Sequence, residues 1–153
     1  MISVVIPSYN SHSTIKECIR ALLNQNVKVN YEIIVVDNAS SDGSLELAKK
    51  ILSKSNKKYI LIKNSSNVGY CLGNNIGIKH SKGEYIAIIN PDIILEKDWL
   101  KKLIEVLELD NKIAMCQGKI LYYGTKIINS TGNLMDRFGA VKCRGTILTS
   151  FFP

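Results

Sequence analysis

Residues 31–52 read YEIIVVDNASSDGSLELAKKIL, and they pass through three kinds of local pattern. Ile33, Ile34, Val35 and Val36 form an unbroken aliphatic run with no polar alternation. Such a run suits a strand buried on both faces, as in a parallel sheet covered by helices. Asn38 to Ser44 is a dense cluster of turn residues. Leu45, Ala48, Ile51 and Leu52 then recur at offsets of three and four, which is one face of a helix. Strand, polar turn and helix therefore follow one another within a single short segment.

The same unit repeats on either side. Ile2 to Ile6 is a β-branched run that stops at Pro7-Ser8-Tyr9-Asn10. A helix follows from Ser13, carried by Ile15, Cys18, Ile19, Leu22 and Leu23, with Ser11 or Ser13 as its expected N-cap. Downstream, YILIK (59–63) is a third strand, and NSSNVGYCLGNN (64–75) is a polar loop leading into a helix around Leu72 to His80. EYIAII (84–89) is a fourth strand, broken by Asn90-Pro91-Asp92. Trp99, Leu100, Leu103, Ile104 and Leu107 mark another helix, and IAMCQ (113–117) reads as a fifth strand. Beyond Gly118, KILYYG (119–124) and KIINSTG (126–132) look like short strands around turns, and the last twenty residues carry no clear pattern.

This alternation predicts an α/β fold: an open, mostly parallel, doubly wound sheet with helices on both faces. One domain over 1–153 is expected. Ligand crevices in such sheets lie beyond the carboxyl ends of the strands. The residues there are Pro7 to Asn10, Asp37 to Ser40, Asn64 to Asn67 and Asn90 to Asp92, all polar or turn-forming, with lone carboxylates at Asp37 and Asp92.

Composition bounds the function. The chain has 153 residues, 46% hydrophobic and 22% charged, which is ordinary for a globular domain. Its formal charge is +7, from 20 basic and 13 acidic residues. Lys dominates, and Arg stands only at 20, 137 and 144, so the bidentate forks that read phosphates and bases are scarce. No nucleic-acid-reading element is present, while a basic surface favours an anionic membrane without specificity. Cys18, Cys71, Cys116 and Cys143 are far apart and form no CxxC pair, which argues for reduced thiols and against zinc. The N-terminus MISVVIPSYN lacks a basic n-region and meets Pro7 early, so no signal peptide is expected. The N-x-S/T triplets at Asn38, Asn64 and Asn129 are then incidental.

Other nucleotide-binding patterns fail. The first turn, PSYNSHS, has no glycine, so the dinucleotide fingerprint is missing. Gly69, Gly73 and Gly77 are spaced by four, and no G-x-x-x-x-G-K-[ST] occurs. The Gly-rich basic loop of a sugar nucleotidyltransferase and the acidic pair of a receiver domain are absent too.

Four segments in order, SVVIPSYN (3–10), EIIVVDNASSDGS (32–44), NSSNVGYCLGNNIGIKHSKGEYIAIINPD (64–92) and WLKKLIEVLE (99–108), resemble the family 2 glycosyltransferases. The resemblance covers about residues 2–121, leaving 122–153 as the start of an acceptor-side region. It implies the GT-A fold, and GNN followed by NPD looks most like the rhamnosyltransferase-like branch of cell-surface polysaccharide synthesis. The implied activity is inverting, metal-dependent transfer of a sugar from a pyrimidine nucleoside diphosphate, a UDP- or dTDP-sugar, to a glycan or lipid-linked acceptor. The implied location is cytoplasmic, at the inner face of the membrane, with peripheral association.

By the same resemblance, Asp92 fills the third position of the D-x-D motif and is the ligand for Mg²⁺ or Mn²⁺ and diphosphate. Asn90 replaces its first carboxylate and can only hydrogen-bond. Asp37 matches the base-binding Asp; Pro7, Ser8 and Tyr9 match the loop lining base and ribose; Asn67, Gly69 and Asn74 fall in the loop and helix start that face the nucleotide-sugar. Each has a structural alternative. Asp92 would also serve as an N-cap, Asp37 as a turn residue, Tyr9 as a surface aromatic, Gly69 as a backbone turn and Gly77 as helix packing. Asp42 is expected to initiate a helix, Trp99 to sit in the core, and Cys71 to have no role. The family's acceptor-activating carboxylate comes from a later motif that is not found here. Asp136, in GNLMDRFG, is the only acid after Asp110 and matches the segment between donor and acceptor halves. The chain is thus expected to be the donor half of a transferase, or a donor-binding module.

Overall fold

The computed structural model describes residues 1–135 and 141–144. The chain divides into two compact units, Met1–Lys101 and Lys102–Pro153. The first unit alternates β1 (Ile2–Ser8), α1 (Ile15–Leu23), β2 (Tyr31–Asp37), α2 (Ser44–Leu52), β3 (Lys58–Lys63), α3 (Gly69–His80) and β4 (Tyr85–Ile88). Helix α4 (Trp99–Leu107) spans the boundary.

The four strands pair in the order β3-β2-β1-β4, and every pair is parallel. The order dictates where the helices go. The chain steps from β1 to β2 to β3 in one direction, then returns past β1 to form β4. Right-handed crossovers in opposite directions put their helices on opposite faces. Accordingly, Val5, Ile34 and Val36 pack with Ile60, Ile62 and Ile76 under α3. On the other face the Tyr31 hydroxyl donates to the carbonyl of Leu22 in α1, at 2.8 Å. Every residue of β1 and β2 is buried, which explains the lack of alternation in both sequences. Gly77 lets α3 sit this close: a Cβ there would collide with the Val5 side chain and lie 3.2 Å from Val36 Cγ2.

Several boundaries differ from expectation. Helix α1 is capped at Thr14, not at Ser11 or Ser13; the Ser11 carbonyl instead accepts from the amides of Thr14 and Ile15. Helix α3 begins at Gly69, three residues before Leu72, because Gly69 adopts φ +81 and turns the chain directly into the helix. The fifth strand is not formed: residues 113–119 have no strand assignment. Ile113 and Cys116, spaced by three, are half-buried, while Met115 is 85% exposed. The Cys116 thiol donates to the Leu103 carbonyl at 3.5 Å, so the segment is tied through a side chain rather than a ladder. Among the described residues β4 pairs with β1 only, and its Ile86 and Ile88 are each 43% exposed.

The second unit holds the antiparallel pair β5 (Ile120–Leu121) with β6 (Ile128–Ser130), close to the short strands expected there. A second pair, β7 (Asn133–Met135) with β8 (Val141–Cys143), was not legible. Asp136 lies outside the described residues. No helix among the described residues is long and apolar enough to cross a membrane.

Candidate functional site

A cleft of about 500 Å³ opens beyond the carboxyl ends of the strands. It lies where the winding reverses between β1 and β4, the point at which neighbouring loops diverge and leave a crevice. Pro7 to Ser11, Ser13 and Thr14 line it from β1; Asn38 follows β2; Asn67, Gly69 and Tyr70 lead into α3; Asn90, Pro91 and Asp92 follow β4. Of the expected site residues, Pro7, Ser8, Tyr9, Asn67, Gly69, Asn90 and Asp92 come together here, whereas Asp37 and Asn74 do not line the cleft.

Asp92 sits in a tight turn. The Ile93 amide donates to the Asn90 carbonyl at 3.3 Å, with Pro91 at the second position that such turns favour. The turn is anchored at both ends by buried side chains, Ile89 and Leu95. Further along, Gln25 at the end of α1 holds the Glu96 carbonyl and the Leu100 amide. Helix α4 starts only at Trp99, so Asp92 is not its N-cap. The Asp92 side chain is exposed, and among the described residues it is the only charged one lining the cleft. Beneath it, the Cys18 thiol donates to the Asn90 carbonyl at 3.5 Å. Burial, and then the nearby Asp92 carboxylate, push that thiol up to about 12, so it stays protonated and inert at neutral pH.

The loops after β1 and β2 are stitched together. The Asn10 amide donates to Ser40 Oγ (2.9 Å), the Ser41 amide to Asn10 Oδ1 (3.0 Å) and the His12 amide to Asp42 Oδ2 (2.8 Å). Asn10 and Ala39 hold left-handed backbone, φ 48 and φ 60, which Asn tolerates and Ala does not readily adopt. Asp42 precedes the N-cap of α2, Gly43; its Oδ1 accepts from the Ser44 amide, and its Oδ2 braces the first loop. Burial opposes its ionisation; hydrogen bonds from Ser44 and the His12 amide outweigh this and hold its carboxyl below the ordinary range.

Asn38 stands among the residues expected at the crevice, but its linking role was not foreseen. Its Nδ2 donates to the Gly69 carbonyl (3.1 Å) and its Oδ1 accepts from Asn64 Nδ2 (2.8 Å), so one amide ties β2, β3 and α3 together. Asn67 Oδ1 accepts from the Gly69 amide at 2.9 Å, which makes it a turn-former as well as a lining residue. Asn10 and Pro91, expected at the crevice without a role, line it, and Ser11, Ser13, Thr14 and Tyr70 were not anticipated as lining residues. Most lie within a few positions of the expected ones, in loops whose paths a periodicity cannot trace.

Four side-chain polar atoms are buried without a partner among the described residues: Ser8 Oγ, Asp37 Oδ1, Asn74 Oδ1 and, at the start of α2, Ser44 Oγ. The other Asp37 oxygen accepts from the Ser40 amide at 3.1 Å. Orphaned buried polar atoms are rare, and each is open to a bound water or a ligand group. No cluster of three His, Cys, Asp or Glu exists among the described residues, so Asp92 has no partner carboxylate or imidazole with which to hold a metal by itself.

Comparison with known proteins agrees with this geometry. The profile of the family described as Glycosyl transferase family 2 matches residues 3–146. An uncharacterized glycosyltransferase of Haemophilus influenzae is 34% identical over 113 residues, covering 74% of this chain and 34% of that protein. An uncharacterized glycosyltransferase of Methanocaldococcus jannaschii is 29% identical over 153 residues, covering 99% of this chain and 51% of that protein. Among solved structures, Staphylococcus aureus TarS 1-349 in complex with UDP is 28% identical with a TM-score of 0.64, over 70% of this chain and 32% of that one. A mannosyltransferase of Pyrobaculum calidifontis, 24% identical with a TM-score of 0.67 over 71% of this chain and 32% of that one, shares the fold. The chain thus spans about one third and about one half of these two curated relatives. With a profile match across nearly its whole length and GT-A glycosyltransferases as structural neighbours, the chain belongs to glycosyl transferase family 2.

Proposed function

We propose that the cleft binds a pyrimidine nucleoside diphosphate sugar, with UDP or dTDP as its nucleotide, together with Mg²⁺ or Mn²⁺. The whole protein would transfer that sugar, with inversion, to a glycan or lipid-linked acceptor in cell-surface polysaccharide synthesis, at the cytoplasmic face of the membrane. The observation that carries this reading is Asp92: an exposed carboxylate, alone in charge, in a proline turn at the reversal of the sheet. A diphosphate needs positive charge, and among the described residues no Lys, Arg or His lines the cleft. A divalent cation held jointly by Asp92 and phosphate oxygens resolves the mismatch, since hard cations take oxygen ligands and keep water in the remaining positions. When bound, the cation supplies Lewis-acid neutralisation of the departing diphosphate.

The chain's own residues do the rest. Asn90 offers an uncharged hydrogen bond beside Asp92. Ser8, Tyr9 and Asn38 border the base and ribose side. Asp37 Oδ1, buried and unpartnered, suits the N3–H of uracil or thymine once the base displaces whatever covers it. TarS, which was solved with UDP and with UDP-GlcNAc, supports a uridine donor as the first to try.

A second reading has its own observation. With Asp92 committed to the cation, no second carboxylate among the described residues lines the cleft to take the acceptor's proton. The chain would then bind donor without turning it over. Calorimetry with UDP, with and without Mn²⁺, tests what the readings share. Binding is expected to need Mn²⁺ and to be lost in Asp92→Ala; metal-independent binding that survives this change contradicts both. UDP-sugar turnover by the wild-type chain would then exclude the binding-only reading.

A further inference from the structure

Tyr70 has no role in anything above, yet it is 54% exposed and lines the cleft. Its position is fixed by packing rather than chance. Gly69, with φ +81, turns the chain into α3 so that Tyr70 falls in the first helical turn. The Gly69 carbonyl accepts from Asn38 Nδ2 at 3.1 Å, which pins this turn to the end of β2. A Cβ on Gly73, one turn further, would lie 3.1 Å from Asn38 Nδ2 and 3.5 Å from Pro7 Cβ. The start of α3 therefore sits over the ends of β2 and β1.

Asp92 follows β4, on the far side of β1 from β2. With strands about 4.8 Å apart, the ends of β2 and β4 are separated by roughly 10 Å. Tyr70 thus belongs to the end of the cleft away from the Asp92 carboxylate, the end that carries Asn38. Tyr9, 50% exposed, rises from the β1 loop into the same cleft. With no cationic side chain among the described residues that line the cleft, affinity at this end has to come from flat apolar contact and hydrogen bonds.

We infer that Tyr70 is the second aromatic wall of the base subsite, stacking on the pyrimidine ring of the donor while Tyr9 supports it from the β1 loop. The inference rests on the donor reading proposed above. Base–aromatic stacking typically changes affinity by about tenfold or more on truncation to alanine.

The test is calorimetry in Mn²⁺ with two probes, UDP and inorganic pyrophosphate, on the wild type, Tyr70→Ala and Tyr70→Phe. Tyr70→Ala should bind UDP about tenfold more weakly and pyrophosphate unchanged. Tyr70→Phe, which keeps the ring, should stay within about twofold of wild type for both. The inference is overturned if Tyr70→Ala binds UDP like the wild type, or if it loses pyrophosphate in equal measure. It is also overturned if the wild type binds UDP no better than pyrophosphate. A wild type that binds neither probe instead removes the donor reading, and the stacking role with it.

Discussion

The two ends of the parallel sheet both bury a carboxylate, and they treat it differently. At the amino end Glu32 is 4% exposed, and its Oε1 accepts from Ser3 Oγ (2.7 Å) and from the Lys82 amide (2.8 Å). Ser3 Oγ accepts in turn from the Gly83 amide at 2.8 Å, closing a network that seats the α3–β4 turn on β1. At the carboxyl end Asp37 is 1% exposed and one of its oxygens has no partner among the described residues. Burying a charge is costly unless hydrogen bonds compensate. The amino end recovers that cost within the fold; the carboxyl end leaves part of it unmet among the described residues, which is where the proposed donor site would draw on it.

The contrast can be broken most severely at the amino end. A Cβ at Gly83 would collide with the Ser3 amide and lie 2.7 Å from the Ile2 carbonyl carbon, both backbone. Gly83→Ala should destabilise by about 3 kcal/mol in urea denaturation, because backbone cannot step aside as a side chain can. Its UDP affinity, measured where the protein is still folded, should not change.

A paired substitution sharpens the contrast. Glu32→Ala leaves the Ser3 hydroxyl without its acceptor and takes from the Lys82 amide the shorter of its two, and should cost about 2 kcal/mol of stability. Asp37→Asn should move stability by less than about 0.5 kcal/mol, since only one hydrogen bond holds it, but weaken UDP by about tenfold. If Glu32→Ala weakened UDP and Asp37→Asn did not, the assignment of the two ends would be reversed.

The smallest effect concerns pH. Asp42 has its carboxyl held below the ordinary 3.8, so the unfolded chain takes up its proton first as pH falls. The stability it contributes is present above about 3.8 and is lost as pH drops through the lowered value. Wild type should therefore lose slightly more stability on acidification below 3.8 than Asp42→Asn does. Identical acid profiles would mean that its bonds to His12 and Ser44 do not persist in solution.

Much of this was legible in the sequence, for reasons that also mark the limit. Strand β2 was readable to the residue because Ile33 to Val36 can only be buried on both faces. The Asn90-Pro91-Asp92 break was readable because Pro ends a ladder. IAMCQ misled because an apolar run fits a strand or a segment tied by one side chain, and the Cys116–Leu103 bond is invisible to periodicity. Tyr70 and the linking role of Asn38 escaped for a related reason. Their importance lies in contacts between the β2 end and the start of α3, 31 residues apart in sequence. Asp37 was expected to bind the base, and the structure buries it, outside the residues that line the cleft.

The central claim is that a diphosphate and its cation bind at the carboxyl edge, beside Asp92. It is tested most directly by amide NMR of the chain with UDP and traces of Mn²⁺, whose paramagnetism broadens nearby signals. Broadening should centre on the amides of Asn90, Asp92 and Ile93, with UDP-induced shifts at Asn38 to Ser40, and should spare Lys82 and Gly83. Broadening centred on the amino edge, or none at saturating UDP, would contradict it.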